Sequence, residues 1–182
     1  MADVIEVNSL KQLQSYRLAW KSLLPQTPNA SFFHTFDWFE TYWKHYGWNQ
    51  HMRVLVVRAG GTPVGILPLC IQKIRYQVGP VRVLTYPLND WGMWYGPIGP
   101  NQSATMFMAA RYLRDTPRDW DFLDLRWTPG QPRIRDGHTR ALRSVGWNVQ
   151  QRAYQQTSNI ELEGTDWESY FASRSKKWRH EA

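Results

Sequence analysis

The residues best suited to chemistry lie in a loop that follows a predicted strand. Residues 88–95 read Leu-Asn-Asp-Trp-Gly-Met-Trp-Tyr and place one carboxylate, Asp90, among flat aromatic rings. Such loops bind sugars or amines by ring stacking and one charged hydrogen bond. In that role Asp90 orients an acceptor amine or hydroxyl, and Trp91 forms a wall of the cleft. The structural alternative is a loop packed on its own sheet, with Asp90 capping a turn.

A second candidate is a cationic cluster near the C-terminus. It consists of Arg174, Lys176, Lys177 and Arg179. Lysine and arginine suit phosphate groups, arginine through two parallel hydrogen bonds. The cluster therefore suits the phosphates of a small-molecule ligand, or those of a nucleic acid. The alternative is an ordinary solvated helix face.

The remaining reactive residue types predict no further site. The five histidines show no metal-ligand spacing with carboxylates or with the cysteine, so no metal site is predicted. His138 falls on the apolar face of a predicted helix, which favours a packing or capping role. Cys70 lies in an apolar strand, which favours a buried, inert thiol. The sequence identifies no catalytic residue.

Length and composition limit the classes of protein. The chain has 182 residues, which predicts one domain with at most the start of another. It has no run of 18 apolar residues and no secretory signal, so no transmembrane segment is expected. The single cysteine excludes an internal disulfide framework. A reducing cytoplasm is therefore the expected compartment.

Two features of the composition suggest rival functions. The net charge of +7 suggests a nucleic-acid binder. The basic excess is spread evenly along the chain, which disfavours specific binding of nucleic acid. The eleven tryptophans suggest a non-catalytic carbohydrate-binding module. That module needs tryptophans exposed in a row, whereas periodicity places most of these on strands or core stripes.

The order of predicted elements indicates the fold class. The predicted elements are a strand at 3–7, a helix at 10–24 capped by Ser9, a helix from Thr35 to Gly47, a hairpin of strands 52–58 and 63–74, a strand at 81–86, a helix at 104–115 capped by Ser103, a strand at 120–126, a helix at 134–145 ending at Gly146, strands at 147–151 and 157–162, and a final helix opening at Thr165. This order predicts an α/β fold with a mixed, mostly antiparallel sheet and helices on both faces. It is also the element order of the GNAT acyltransferase fold.

Four stretches resemble motifs of one protein family. Residues 31–38 resemble an S-P-F-x-x-x-x-W motif, with Phe33 in place of proline. Residues 65–69 resemble G-x-L-P-L, and residues 120–125 resemble W-D-x-L-x-L. Residues 167–179 resemble W-x-x-Y-x-x-S-x-S-x-K-x-R. Together they resemble the CelD/FemAB-like branch of the GNAT superfamily (BioF2-like acetyltransferases).

The resemblance implies an architecture. Members of this branch carry two GNAT-like halves in tandem, so residues 1–163 are expected to form the first half. Residues 164–182 are then the first helix of a truncated second half, because that helix is still running at Ala182. By the same resemblance Ser175, Lys176 and Arg179 lie on the donor side of the site.

The resemblance also implies an activity. It implies acyl transfer from acetyl-CoA or another acyl-CoA to an amine, such as an amino sugar or a precursor of the cell envelope or of a polysaccharide. GNAT proteins hold the donor pyrophosphate on a Gln/Arg-x-x-Gly-x-Gly/Ala loop. The sequence has no such loop, because Gly60-Gly61 lacks a following helix and Gln77-Val-Gly-Pro has a proline where an N–H is needed. The chain by itself is therefore expected to be inactive.

Overall fold

The computed structural model describes residues 2–77, 79–89, 92–153 and 166–181. The chain divides into two compact units, Met1–Arg152 and Ala153–Ala182. The predicted boundary between residues 163 and 164 lies outside the described residues, and so does the predicted strand at 157–162.

The first unit is built on a five-stranded sheet. Its strands are β1 (Ala2–Val7), β2 (Gln50–Ala59), β3 (Thr62–Tyr76), β4 (Gly79–Thr85) and β5 (Phe122–Asp124). Its helices are α1 (Leu10–Gln14), α2 (Arg17–Leu23), α3 (Phe36–Tyr46), α4 (Gln102–Asp115) and α5 (Pro132–Ser144). The strands lie in the order β1-β2-β3-β4-β5. The first four are antiparallel to their neighbours, and β5 is parallel to β4. The predicted mixed, mostly antiparallel sheet is confirmed.

Helices cover both faces of this sheet, as predicted. On β2 and β3 successive side chains point to opposite faces. Val54 and Val56 pack with one helical group, whereas Leu55 faces the other. The core that contains Val54 and Val56 takes its helical residues from α1, α2 and α3. The core that contains Leu55 takes its helical residues from α4 and α5. Two separate cores therefore stabilise the unit, one on each face.

Helix α4 approaches the sheet closely at Gly65. A Cβ atom added there would overlap the Thr105 side chain of α4. The glycine of the 65–69 motif is thus required for packing of the helix against the sheet.

Pro68 of the same strand is unpaired on one side of β3. Its neighbours on that side are paired, Ile66 with Ile98 and Cys70 with Thr85. Its missing N–H falls in the gap between them, where no ladder hydrogen bond is lost.

Several helix ends are as predicted. Thr35 caps α3, since its hydroxyl accepts the Trp38 N–H at 3.1 Å. Gly146 follows α5 with a φ of 89°. Its N–H donates to Arg143 O at 2.9 Å, and the next N–H donates to Leu142 O at 3.3 Å. This pair of bonds is a Schellman motif, in which a left-handed residue closes the helix.

Other local predictions are wrong for identifiable reasons. The helix predicted at 10–24 is split into α1 and α2, because the Ser15 hydroxyl donates to Gln12 O at 2.7 Å and ends the first turn locally. Asn101, not Ser103, caps α4, since its side chain accepts the Ala104 N–H. The strand predicted at 120–126 is shortened to β5, and residues 147–151 form no strand.

The second unit contains two short helices, α6 (Trp167–Ser173) and α7 (Lys176–Glu181). The single helix predicted over this stretch is wrong, because the chain is extended at Arg174 (ψ 156°). Asp166 caps α6 by accepting the Ser169 N–H at 2.7 Å, and the predicted cap Thr165 lies outside the described residues. Among the helices that the structure describes, none is long and apolar enough to cross a membrane.

Candidate functional site

The sequence-predicted site residues fall in two places. Asp90 and Trp91 lie outside the described residues, so their proposed roles stay predictions. Ser175 lies at the break between α6 and α7, where its hydroxyl accepts the Trp178 N–H at 3.3 Å. Lys176 and Arg179 are exposed on α7. Exposed side chains are expected whether α7 contacts phosphates or only faces solvent, so the donor-side role also stays a prediction.

The parallel strands β4 and β5 separate after a short contact. They pair only through Val83–Thr85 with Phe122–Asp124, and α4 forms the crossover between them. In open sheets of this kind, ligands bind outside the carboxyl ends of the parallel strands. Here the carboxyl ends lead into Tyr86 on one side and into residues 125–128 on the other. This end of the sheet is therefore the candidate functional site.

The loop between β4 and α4 folds back into the opening. Ile98 exchanges two hydrogen bonds with Ile66 of β3, and the Tyr95 N–H donates to Trp127 O at 2.9 Å. Residues 95–98 thus lie between β3 and the chain that follows β5. The backbone is left-handed at Trp94 (φ 55°) and Trp127 (φ 72°). Large side chains rarely adopt this conformation, and such strain concentrates at functional sites.

Buried polar groups without partners gather around this segment. Among the described residues, six buried side-chain atoms have no hydrogen-bond partner. Four of them are the Tyr86 and Tyr95 hydroxyls and the two ring nitrogens of His138. Their side chains are 2%, 0% and 4% exposed. We refer to Tyr86, Tyr95 and His138 as the Tyr95 cluster.

Ring contacts join the two tyrosines of the cluster. The Tyr95 ring lies 5.2 Å from the Tyr86 ring and is stacked at 5.0 Å on His34. His138 reaches the same segment from α5, where its Cε1 atom lies 3.6 Å from the position that a Cβ on Gly96 would occupy. Three separate elements, the end of β4, the returning loop and α5, therefore converge around residues 95–96.

The cluster is uncharged at neutral pH. Burial lowers the pKa of His138 to about 4, so its ring is a neutral imidazole with one donor and one acceptor nitrogen. Burial raises the pKa of both tyrosines, which keeps their hydroxyls protonated. Thr128 lies near Tyr86 and partly offsets this effect on its pKa. No bond of normal geometry joins them, and the Thr128 hydroxyl donates to Leu125 O at 2.8 Å.

Sequence reasoning assigned His138 a packing or capping role and did not single out the two tyrosines. The burial of His138 is as predicted, but its unpartnered nitrogens make the capping alternative wrong. A spacing pattern cannot show which buried polar atoms lack a partner, because the partners come from distant parts of the chain.

A neighbouring serine and histidine form a cap rather than a nucleophilic pair. The Ser31 N–H donates to His34 Nδ1 at 3.1 Å, and the Ser31 hydroxyl is 3.0 Å from the same nitrogen. At the Phe32–His34 turn each of the two side chains accepts a hydrogen bond from the backbone N–H of the other residue, as in a capping box. This pairing gives the 31–38 motif a structural explanation.

A cleft of about 460 Å³ lies at a different place, beside the end of β1. Its charged groups satisfy one another, because Arg53 Nε donates to Glu6 at 3.0 Å and Arg53 also pairs with Asp119 at 2.7 Å. Among the described residues, no group of three or more histidine, cysteine or acidic side chains is arranged to hold a metal ion.

The described surface disfavours both rival functions. Arginines are paired with carboxylates at several places, as in Arg58 with Asp3 and Arg82 with Asp121, so part of the positive charge is neutralised locally. In the first unit the exposed tryptophans of the described part are Trp48, in the 3-10 turn Gly47–Asn49, and Trp94, in the loop before α4. They form no row on which a glycan could stack.

Comparisons with known proteins give weak likenesses. No protein-family model and no curated protein matches the chain. An aminoglycoside N-acetyltransferase, AAC(6')-Iy, in complex with CoA matches with a TM-score of 0.44 and 14% identity, over 88% of this chain and 96% of that one. A ribosomal-protein-alanine N-acetyltransferase from Brucella melitensis biovar Abortus 2308 matches with a TM-score of 0.41 and 14% identity, over 86% and 99%. Likeness at this level carries no argument about the activity of this chain.

Proposed function

We propose that the chain is the N-terminal part of a GNAT-type N-acyltransferase of the CelD/FemAB-like branch. It takes part in moving an acyl group from an acyl-CoA, or a similar donor, to an amine. The acceptor class is an amino sugar or another precursor of the cell envelope or of a polysaccharide, and the compartment is the cytoplasm. The four sequence motifs and the observed element order support this proposal. The observation that carries it is the uncharged Tyr95 cluster at the carboxyl ends of β4 and β5.

The chemistry of acyl transfer matches these groups. The amine nitrogen attacks the thioester carbonyl carbon, so a C–N bond forms, the C–S bond breaks, and the proton lost by nitrogen ends on the thiol. Only an uncharged amine has the lone pair for this attack. The reaction also needs hydrogen-bond donors near the developing oxyanion. Protonated tyrosines and a neutral imidazole are groups of the required kind.

The backbone before α4 argues against a donor-phosphate site at that place. The Ile98 N–H donates to Ile66 O, and the Gly99 N–H donates to the Thr27 hydroxyl at 2.8 Å. Pro97 and Pro100 have no N–H at all. A phosphate cradle needs successive free N–H groups, and this segment has none to offer at these positions.

The donor side is therefore assigned to the second unit, by resemblance. Ser175, Lys176 and Arg179 are the proposed contacts of the donor phosphates, in a second GNAT-like half that begins at residue 164. By this assignment the 182-residue chain does not turn over acetyl-CoA, since the remainder of the donor pocket comes from that second half.

The proposal is tested by thiol release from acetyl-CoA. The complete gene product should release CoA thiol only when an amine such as glucosamine is present, and residues 1–182 alone should release none above the buffer rate. Replacing both Lys176 and Arg179 by glutamine should raise the KM for acetyl-CoA at least fivefold. The same change at Lys11 and Lys21 should leave it unaltered. Absence of amine-dependent thiol release from the complete gene product would refute the proposal.

A further inference from the structure

The Tyr95 cluster has the properties of a binding site that lacks its ligand partners. Tyr86, Tyr95 and His138 are each at least nine-tenths buried. Their hydroxyls and ring nitrogens nevertheless make no hydrogen bond within the described part of the chain. A buried polar group without a partner costs free energy, and nearly all such groups in folded proteins are satisfied. Three of them on converging elements need partners from outside the described residues, which a buried water or a bound ligand supplies.

Gly96 leaves space beside the imidazole. A Cβ atom built on this residue would lie 3.6 Å from His138 Cε1 and 3.9 Å from Gln102 Nε2, which are ordinary contact distances. The backbone of Gly96 is not among the left-handed residues, so an alanine fits there without strain. A methyl-sized volume is therefore free next to the ring.

We infer that the Tyr95 cluster binds the acceptor nitrogen as an uncharged amine, placed against His138. A free-base amine has N–H groups for the acceptor nitrogen of the ring and a lone pair for a tyrosine hydroxyl or the ring N–H. An ammonium ion would lose its hydration among three uncharged groups, without a counter-charge from the cluster. The cluster therefore selects the amine form that attacks a thioester. Its catalytic meaning rests on the proposed function, but the binding itself does not.

The binding experiment uses two probes of nearly equal size. Methoxyamine is a weak base and is uncharged at pH 7, whereas ethylamine is an ammonium ion at that pH. Each is added to residues 1–182, and the ring resonances of His138 are followed by NMR. Methoxyamine should shift them saturably. Ethylamine should leave them in place at the same concentrations.

A steric variant tests the position of the ligand. Gly96→Ala places a methyl group in the open volume without removing any cluster side chain, and it should weaken methoxyamine binding at least tenfold. Gly130→Ala is the matched control, because a Cβ at Gly130 meets nothing within 4 Å. That variant should bind as the parent does.

The outcomes separate this inference from the proposed function. Saturable binding of methoxyamine that Gly96→Ala removes supports the inference even if no thioester is ever cleaved. Failure of methoxyamine to shift His138, equal binding of ethylamine, or full binding by Gly96→Ala each overturns it. Amine-dependent thiol release without binding at His138 would leave the acyltransferase in place and exclude this site.

Discussion

Removing the Tyr95 hydroxyl should stabilise the ligand-free protein. Tyr95 is fully buried, and its hydroxyl has no partner among the residues that the structure describes. Burying a hydroxyl without a hydrogen bond costs about 1–3 kcal/mol in proteins. Phenylalanine keeps the ring contacts with His34 and Tyr86. We therefore expect Tyr95→Phe to raise the free energy of unfolding by about 1–2 kcal/mol, which corresponds to a rise in Tm of roughly 2–8 °C for a domain of this size.

Tyr42 supplies the matched control. It is 2% exposed, and its hydroxyl accepts from Gln50 Nε2 at 2.9 Å and lies 3.4 Å from Gln72 Nε2. Tyr42→Phe makes the same chemical change but removes bonds that exist. It should lower the free energy of unfolding by about 1–3 kcal/mol, because the glutamine side chains lose their partner. The same substitution thus has opposite signs at two buried positions.

The assay is urea unfolding of the purified, ligand-free protein, followed by circular dichroism. The slope of the free energy against urea must stay constant among the variants, so that shifts in the midpoint report stability. A Tyr95→Phe protein that is less stable than the parent by more than about 0.5 kcal/mol would show that the hydroxyl has a partner. That result would refute the reasoning on which the Tyr95 cluster is based.

Two further predictions concern packing and pH. Gly65→Ala should destabilise the protein by about 1–3 kcal/mol, because the new methyl group overlaps Thr105, and Gly130→Ala should be neutral by the same urea assay. Burial lowers the pKa of both His34 and His138 from 6.5 to about 4, so the unfolded state binds more protons between these values. The contribution of these two rings to the free energy of unfolding should therefore be complete above pH 6.5. It should fall as the pH drops toward 4, by up to about 1.4 kcal/mol per pH unit for each histidine. His138→Phe should halve that slope between pH 5 and 6, and an unchanged slope would contradict the burial of a neutral ring.

Local sequence signals predicted the elements whose causes are local. Thr35 and Gly47 bracket α3 because a hydroxyl caps the first turn and a glycine follows the last. The hairpin turn could be predicted from Gly60 and Gly61 alone, because their φ angles of 57° and 83° suit glycine. The prediction of one long helix at 10–24 failed at Ser15, where a side chain competes with the backbone for the Gln12 carbonyl.

The candidate site was only partly accessible to sequence reasoning. The loop at 88–95, which follows β4, was singled out by its composition, but Asp90 and Trp91 lie outside the described residues and their roles stay predictions. The pairing of Tyr95 with Trp127 and the arrival of His138 from α5 were not predicted. These contacts join residues more than thirty positions apart, and periodicity carries no information about such distances.

The amino-acid sequence by itself determined the class of fold, the sides of each strand and most helix ends. These follow from alternation of apolar residues and from capping groups within a few positions of each other. The tertiary structure alone decided that residues 95–98 lie between β3 and the chain after β5, and that three polar side chains there have no partner within the described part of the chain. Whether a buried polar atom is satisfied depends on every element that packs around it, so it is settled only when the whole unit has folded.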